Sequence, residues 1–176
     1  MSSRANIGVV VTAAAVALLV VPTTGAGSDK TSRRAAATVE RIIDGDTLVV
    51  RGGARVRLVQ IDAPEAGEEC YASGSTTELI RLAGPGTRVQ LEEDAALDDV
   101  DRYGRLLRYV HAGGRNVNLE LVRRGAAAPW FYDGDRGRYA ARLLTATGSA
   151  RAARRGMWGA CRVSWRPDGP VATRPR

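Results

Sequence analysis

Residues 38–61 read TVERIIDGDTLVVRGGARVRLVQI. Three β-rich runs stand in this stretch, at 38–43, 47–51 and 55–61. Asp-Gly-Asp separates the first run from the second, and Gly-Gly lies between the second and the third. Short apolar runs divided by such turn residues are typical of neighbouring strands. The stretch therefore predicts three consecutive antiparallel strands.

Helix and strand signals follow this meander. Ser-Thr-Thr-Glu at 75–78 fits a helix capping box, and Gly-Pro-Gly at 84–86 ends that helix. The remaining predicted elements are strands at 87–92 and 106–111, a short helix at 118–124 closed by Gly125, and a longer helix capped by Asp135 and running to about Arg155.

The order of these elements predicts the fold class. Five strands, with a helix between the third and fourth and further helices after the fifth, follow the order of an OB-fold barrel. Periodicity by itself supports only an α+β domain that is mainly β. We expect a five-stranded OB-fold barrel with about three helices.

The amino terminus has the pattern of an export signal. An apolar run at residues 7–21 follows Arg4 and precedes small residues that end at Ala26. About 15 apolar residues is short for a membrane span, so residues 1–26 are interpreted as a signal peptide. This predicts a secreted protein with no stable membrane association after cleavage. The alternative is an uncleaved membrane anchor with the domain facing outside.

Composition also predicts the limits of the folded domain. Residues 27–37 are small and polar, which is typical of a linker. Residues 162–176 are rich in Pro and Arg, which indicates a disordered tail. The domain is then expected to span residues 38–161.

The charge of the chain indicates a polyanionic partner. It carries 26 Lys and Arg against 19 Asp and Glu, a formal net charge of +7, and Lys30 is the only lysine. Arginine binds phosphate through paired hydrogen bonds. The basic charge favours nucleic acid or an anionic envelope surface as the partner.

The cysteines and the histidine limit the chemistry. Cys70 and Cys161 form an even pair that export would place in an oxidising compartment, so we expect a disulfide between them. Their spacing excludes a cysteine-based zinc site, and a single histidine argues against a histidine-based one. That histidine, His111, lies at a strand end where the sequence suggests no partner.

Three short motifs carry the chemistry. They are Asp-Gly-Asp-Thr at 44–47, Arg57 followed by Asp-Ala-Pro-Glu at 62–65, and Asp-Arg-Tyr-Gly-Arg at 101–105. The carboxylates offer hard oxygen ligands for a metal ion, and a further carboxylate could orient or deprotonate water. Arg57 stands among apolar residues, where it must reach solvent or an anion because burying it unpaired is costly. Each motif alone would also fit a turn or a surface ion pair, so the prediction rests on all three.

These motifs resemble the staphylococcal nuclease family, also called thermonuclease-like. The resemblance spans about residues 38–158 and includes VNLELVRRG at 117–125 and the late Trp158. It implies an OB-fold barrel and a calcium-dependent nuclease that cuts DNA and RNA and leaves 3′-phosphate ends. We expect such a protein to act as a monomer.

The resemblance also implies a role for each matched residue. Asp46 and Asp62 would bind Ca²⁺ through their carboxylates, and Ala63 through its backbone carbonyl. Glu65 would activate or position the attacking water. The implied phosphate-clamping residues are Arg57 and Arg105, and the implied substrate contacts are Arg102, Tyr103 and, in an aromatic loop that departs from the best-known members, Tyr132 with Phe131 as its alternative.

Two other functions fit parts of this pattern. A non-catalytic OB-fold module of the cell envelope would hold nucleic acid by charge and stacking without cutting it. An envelope-associated interaction protein would use its basic helix and tail to bind anionic polymers. Neither function needs the acidic residues together with both arginines, so the nuclease is favoured.

Overall fold

The computed structural model describes residues 33–176. The predicted signal peptide and most of the predicted linker lie outside these residues. Within 33–176, no helix is both long enough and apolar enough to cross a membrane.

Ten strands and four helices are found in the described residues. The strands are β1 (Arg34–Ile42), β2 (Thr47–Val50), β3 (Arg55–Leu58), β4 (Ile61–Asp62), β5 (Arg88–Glu92), β6 (Leu106–Ala112), β7 (Arg115–Asn116), β8 (Ala128–Pro129), β9 (Cys161–Ser164) and β10 (Ala172–Pro175). The helices are α1 (Ala72–Ala83), α2 (Val117–Arg123), α3 (Ala140–Ala152) and α4 (Met157–Ala160), with a 3₁₀ turn at Tyr132–Gly134.

Five of these strands close into a barrel. β1, β2 and β3 form the predicted antiparallel meander, and β1 also pairs with β5, which pairs with β6. The parallel pairing of β3 with β6 closes the ring. A register irregularity between Val39 and Arg41 lets the first half of β1 pair with β5 and the second half with β2. Closure leaves these strands few unpaired edges, and the result is the predicted five-stranded OB-fold barrel of mainly β character.

The barrel is filled by the apolar faces of its strands and covered by the helices. Fully buried side chains from β2, β3 and β6 meet others from α1, α2 and α3; among them are Leu48, Val56, Leu58, Val110, Leu79, Leu121 and Leu143. Each helix therefore directs an apolar side at the barrel. The shared core holds the loops that leave β3, β4 and β6 in fixed positions.

Two helices begin at positions that differ from the prediction. α1 starts at Ala72, after Tyr71 in a left-handed conformation, so Ser75 lies within the helix. Its hydroxyl donates to the Ala126 carbonyl at 2.6 Å and does not cap the helix. α3 starts at Ala140 rather than beside Asp135. The backbone at Asp135 is extended and its carbonyl accepts from the Gln60 side chain at 2.7 Å.

Both predicted domain boundaries need correction. Residues 34–37, predicted as linker, belong to β1 and pair with β5 from Arg34 to Thr38. Residues 162–176, predicted as a disordered tail, form an antiparallel hairpin from β9 and β10. The high Pro and Arg content predicted disorder. In an extended chain, however, successive side chains point to opposite faces, so a segment with exposed Pro and Arg can still bury the residues between them. Val171 and Thr173 are buried while the intervening and following residues are exposed.

The predicted disulfide between Cys70 and Cys161 is present, and the described residues contain no free cysteine. It joins residues 91 positions apart. In the chain-entropy model, closing a loop of this size stabilises the fold by at most about 4–5 kcal/mol. The bond ties the segment before α1 to the first residue of β9.

Gly125 and Gly156 bring the chain after α2 close to the start of α4. Gly125 follows α2 with φ of +69°, and its carbonyl accepts from Met157 at 2.9 Å. A Cβ at Gly125 would collide with the Arg155 carbonyl.

We expect Gly125→Ala to lower the free energy of unfolding by at least about 2 kcal/mol. The matched Gly148→Ala, which meets open space in α3, should raise it by about 0.5–1 kcal/mol. Urea denaturation measures both, and equal effects would contradict the steric argument.

Candidate active site

The site centres on a buried arginine between two buried aspartates. Nη2 of Arg57 lies 3.0 Å from Oδ2 of Asp46 and 2.8 Å from Oδ1 of Asp62. The exposed fractions are 5% for Asp46, 9% for Arg57 and 5% for Asp62. The arrangement meets the requirement that a buried arginine has anionic partners.

Backbone groups fix the geometry of this cluster. Nη1 of Arg57 donates to the carbonyls of Leu58 at 3.0 Å and Ile61 at 2.7 Å. The Ala63 N–H donates to Oδ2 of Asp46 at 2.8 Å. The cluster therefore holds together the β1–β2 turn, the middle of β3 and the end of β4.

Gln60 makes the turn that brings the Ile61 carbonyl back to the arginine. Its φ is +63°, a conformation that non-glycine residues rarely adopt. The side-chain oxygen of Gln60 accepts from the Tyr109 hydroxyl at 3.2 Å and the Gly137 N–H at 2.9 Å, and these hydrogen bonds offset the cost of the unfavourable backbone conformation. Sequence reasoning missed Gln60, whose only signal is a polar residue inside an apolar run.

The two carboxylates carry more negative charge than the arginine balances. Burial raises the pKa of Asp46 to about 7, although the Arg57 charge acts to lower it. Burial also raises the pKa of Asp62, again against the effect of Arg57. Two desolvated carboxylates share one guanidinium, so a cation at this position would stabilise their ionised forms.

The donor chemistry fits a hard cation. Among residues 33–176 there is no group of three or more His, Cys, Asp or Glu side chains placed to hold a metal ion. The predicted ligands are instead two carboxylates and the Ala63 carbonyl, an all-oxygen set. Ca²⁺ accepts such a set with flexible coordination, and the remaining ligands would come from water and substrate.

A cleft of about 320 Å³ opens beside the cluster. Its polar and aromatic lining includes Arg57, Arg102, Tyr103, Arg105, Trp130 and Tyr132. Parallel pairing sets Arg57 opposite Leu107, so the loop that precedes β6 lies next to the arginine. The structure thus brings both predicted phosphate-clamping residues and all three predicted substrate contacts to one cleft.

Asp101 organises the loop that carries Arg105. Its carboxylate accepts from Nε of Arg105 at 2.6 Å and from the backbone N–H groups of Tyr103 at 2.9 Å and Arg105 at 3.0 Å. Partial burial acts to raise the pKa of Asp101, but the hydrogen bonds from Arg105 and Tyr103 hold it below its ordinary value. The Tyr103 ring is 64% exposed, and the guanidinium of Arg102 lies 4.9 Å from its centroid.

Glu65 lies at the edge of this arrangement. It is exposed, and its backbone N–H donates to Oε2 of Glu69 at 2.8 Å. Burial is the main cause of the raised pKa of Asp62, and the charge of Glu65 adds a smaller effect in the same direction. Glu65 does not line the cleft itself.

The aromatic loop differs from the prediction in detail. Phe131 is 1% exposed and belongs to the core, so it cannot stack on a base. Tyr132 is 59% exposed and faces the cleft, edge-on to Trp130 with centroids 5.8 Å apart. Trp130 was missed, although the Pro-Trp-Phe-Tyr run had marked this loop.

His111 has a partner that the sequence did not suggest. Its Nε2 lies 2.5 Å from Oε2 of the buried Glu92, which also binds Arg34, Arg138 and the Tyr139 hydroxyl. This second charged cluster does not line the cleft. Its members come from β1, β5, β6 and the segment just before α3, which explains why no local pattern revealed it.

Comparisons with known proteins place the chain beside nucleases. The family model described as staphylococcal nuclease homologue matches residues 55–160. An uncharacterized endonuclease of Escherichia coli is 43% identical over 100 residues, which cover 54% of this chain and 60% of that protein. The micrococcal nuclease of Shigella flexneri is 36% identical over 132 residues, covering 68% of this chain and 71% of that protein. Endonuclease YhcR of Bacillus subtilis is 28% identical over 136 residues, covering 68% of this chain but 11% of that protein.

The raised pKa of Asp46 predicts a pH-dependent stability. The ordinary value is 3.8 and the folded value is about 7, so the folded calcium-free protein loses stability as pH rises from about 4 to 7. We expect Asp46→Asn to raise the free energy of unfolding at pH 8 by up to about 4 kcal/mol, and to change it little below pH 4.

Urea denaturation in the presence of a chelator, at pH 4 and pH 8, measures this difference. The control is Asp98→Asn, which changes an exposed carboxylate. A variant no more stable than the parent protein at pH 8 would show that Arg57 fully compensates Asp46.

Proposed function

Since the chain belongs to the staphylococcal nuclease homologue family, we propose that it is a secreted, calcium-dependent nuclease that hydrolyses phosphodiester bonds of DNA and/or RNA and leaves 3′-phosphate ends. One observation carries the proposal: two buried carboxylates share a single arginine at the wall of a cleft that holds a second arginine. The names of the relatives, which are endonucleases and a micrococcal nuclease, agree with it.

Asp46, Asp62 and the carbonyl of Ala63 are the residues that would hold the cation. When bound, Ca²⁺ supplies positive charge that offsets the charge of the phosphodiester. The hydrogen bond from Ala63 to Asp46 joins two of these ligands within one small unit. With only two carboxylates, the site would bind the ion modestly until nucleic acid is present.

Arg57 and Arg105, which both line the cleft, would bind the phosphate. Both guanidinium groups are already fixed, Arg57 by backbone carbonyls and the aspartates, and Arg105 by Asp101. Donors that are in place before the reaction need no reorganisation as charge develops on the phosphate oxygens. The planar guanidinium of Arg105, which meets Asp101 through Nε, suits paired hydrogen bonds to phosphate. Both Nη groups of Arg57 already donate within the protein, so Arg57 would act on the phosphate mainly through its charge.

Glu65 would orient or deprotonate the attacking water. Within the described part of the chain its carboxylate has no arginine partner, in contrast to Asp46 and Asp62. It stands at the surface three residues after Asp62, with Pro64 restricting the backbone between them. A carboxylate in this setting keeps lone pairs available for a proton.

Aromatic side chains would hold the nucleic-acid strand at the cleft. Tyr103 and Tyr132 are largely exposed, and Trp130 lines the same cavity. Stacking of a base on such a ring contributes about 1–3 kcal/mol with little sequence preference. Arg102 would add charge next to Tyr103.

The disulfide supports secretion and a role outside the cytoplasm.

We propose that the protein acts as a monomer, since the cleft, the acidic cluster and both arginines come from one chain. The non-catalytic module of the cell envelope is the alternative, and cleavage assays separate the two.

Calcium dependence is the first test. The protein without residues 1–26 is expected to degrade DNA or RNA in Ca²⁺, to stop when EGTA is added and to resume when Ca²⁺ is restored. Fragments should become substrates for polymerase extension only after phosphatase treatment, because their 3′ ends carry phosphate. Binding to nucleic acid without cleavage in any of several divalent ions would favour the module instead.

Glu65→Gln tests the proposed base. It removes the charge and keeps the shape, so turnover should fall by about 10²–10⁴-fold while the melting temperature is retained. Glu68→Gln, at an exposed position of the same loop, is the matched control and should keep parental turnover. Parental rates in Glu65→Gln would remove this residue from the mechanism.

A further inference from the structure

The last strands of the chain reach the acidic cluster. Residues 161–175, the carboxyl-terminal hairpin, comprise β9, β10 and the loop between them. They lie beyond the segment matched by the family model, which ends at residue 160. The contacts of this hairpin with the site are therefore a property of this chain that the family match does not supply.

The first contact fixes Asp62. The backbone N–H of Val171 donates to Oδ2 of Asp62 at 2.9 Å, while Arg57 holds Oδ1 at 2.8 Å. One carboxylate is thus oriented by the barrel on one oxygen and by the hairpin on the other. Val171 is 4% exposed, so this charge-assisted bond is shielded from water and correspondingly strong.

The second contact reaches the segment of Glu65. Thr173 lies two positions after Val171, and both residues are buried. Its N–H donates to Oε1 of Glu69 at 2.9 Å, and Oε2 of Glu69 accepts from the Glu65 N–H at 2.8 Å. Glu69 therefore bridges the hairpin and the backbone of the proposed base.

The hairpin is itself anchored at several points. The disulfide holds Cys161 to Cys70, and the Thr173 hydroxyl donates to the Cys70 carbonyl at 2.7 Å. The Trp165 indole donates to the Pro129 carbonyl at 2.7 Å. A small apolar cluster with buried Met157 and Val171 lies beneath it. These anchors give the hairpin the rigidity that orienting another group requires.

We propose that the carboxyl-terminal hairpin is a positioning element of the active site. The Val171 N–H sets the orientation of Asp62 for the cation, and Thr173, acting through Glu69, sets the position of Glu65. The inference rests on the proposed function, in which Asp62 holds Ca²⁺ and Glu65 acts on water. Groups that hydrogen-bond to metal ligands typically change metal affinity or activity by about 10–100-fold.

A merely structural hairpin would behave differently. Its loss would lower the melting temperature and would affect Ca²⁺ affinity and turnover only through unfolding. A positioning hairpin separates the two effects: the Val171 contact acts on Ca²⁺ affinity, and the Glu69 bridge acts on turnover. Measurements below the melting transition distinguish these cases.

The first experiment measures Ca²⁺ binding by titration calorimetry without nucleic acid. Val171→Pro removes the N–H, whereas Val171→Ala shortens the side chain and keeps the N–H. We expect Val171→Pro to bind Ca²⁺ about 10–100-fold more weakly than Val171→Ala. Arg174→Ala, at an exposed position of β10, controls for general changes to the hairpin. Should Val171→Pro melt below the assay temperature, a chain ending at Ser164, which keeps the disulfide, is expected to show the same loss of affinity.

The second experiment measures turnover. Glu69→Ala removes the bridge to Glu65, so kcat should fall by about 10–100-fold while Ca²⁺ affinity stays within about threefold of the parent protein. Glu68→Ala is the neighbouring control.

Equal Ca²⁺ affinity in Val171→Pro and Val171→Ala, together with parental kcat in Glu69→Ala, would overturn the inference and leave the proposed function intact. A parent protein that neither binds Ca²⁺ nor cleaves nucleic acid would instead overturn the proposed function.

Discussion

The cluster of Arg57 with Asp46 and Asp62 is the interaction that sets the geometry of the site. Burying a guanidinium is costly unless its charge is balanced and its N–H groups are bonded. Here two carboxylates and two backbone carbonyls meet both needs. Because Asp46, Arg57 and Asp62 come from three consecutive parts of the barrel, the same contacts that satisfy the arginine also fix the turn, the strand and the bend that form the site.

Charge balance separates this cluster from the second buried cluster in the molecule. Glu92 is almost completely buried, yet Arg34 and Arg138 both bind it, so two guanidinium groups face one carboxylate. At Arg57 the ratio is reversed, and burial raises the pKa of both aspartates. The charges of the Glu92 cluster are satisfied within the protein, and the cluster ties β1, β5, β6 and the start of α3 together. The Arg57 cluster retains an excess of negative charge, which is the property expected of a cation site.

The parallel pairing of β3 with β6 links this charge to the cleft. It brings the loop of Arg105 next to Arg57, and Asp101 holds that loop in shape. On the opposite side, β4 pairs with β8, so that Asp62 lies opposite Ala128 and the aromatic loop follows directly. The carboxyl-terminal hairpin then closes over the same region through Val171. Barrel, loops and hairpin thus converge on one carboxylate, from segments more than 100 positions apart in the chain.

Sequence by itself determined the elements whose signals are local. The meander at 38–61, the end of α1 at Gly84, the glycine that closes α2 and the residues of the three motifs all follow from turn chemistry and periodicity over a few residues. The disulfide followed from an even cysteine count. Only the tertiary structure decided which charges are buried together, that Trp130 rather than Phe131 lines the cleft, that Glu92 is the partner of His111, and that an arginine-rich tail folds back to bind Asp62. These outcomes depend on contacts between distant segments, and composition and spacing carry no record of such contacts until the barrel has closed.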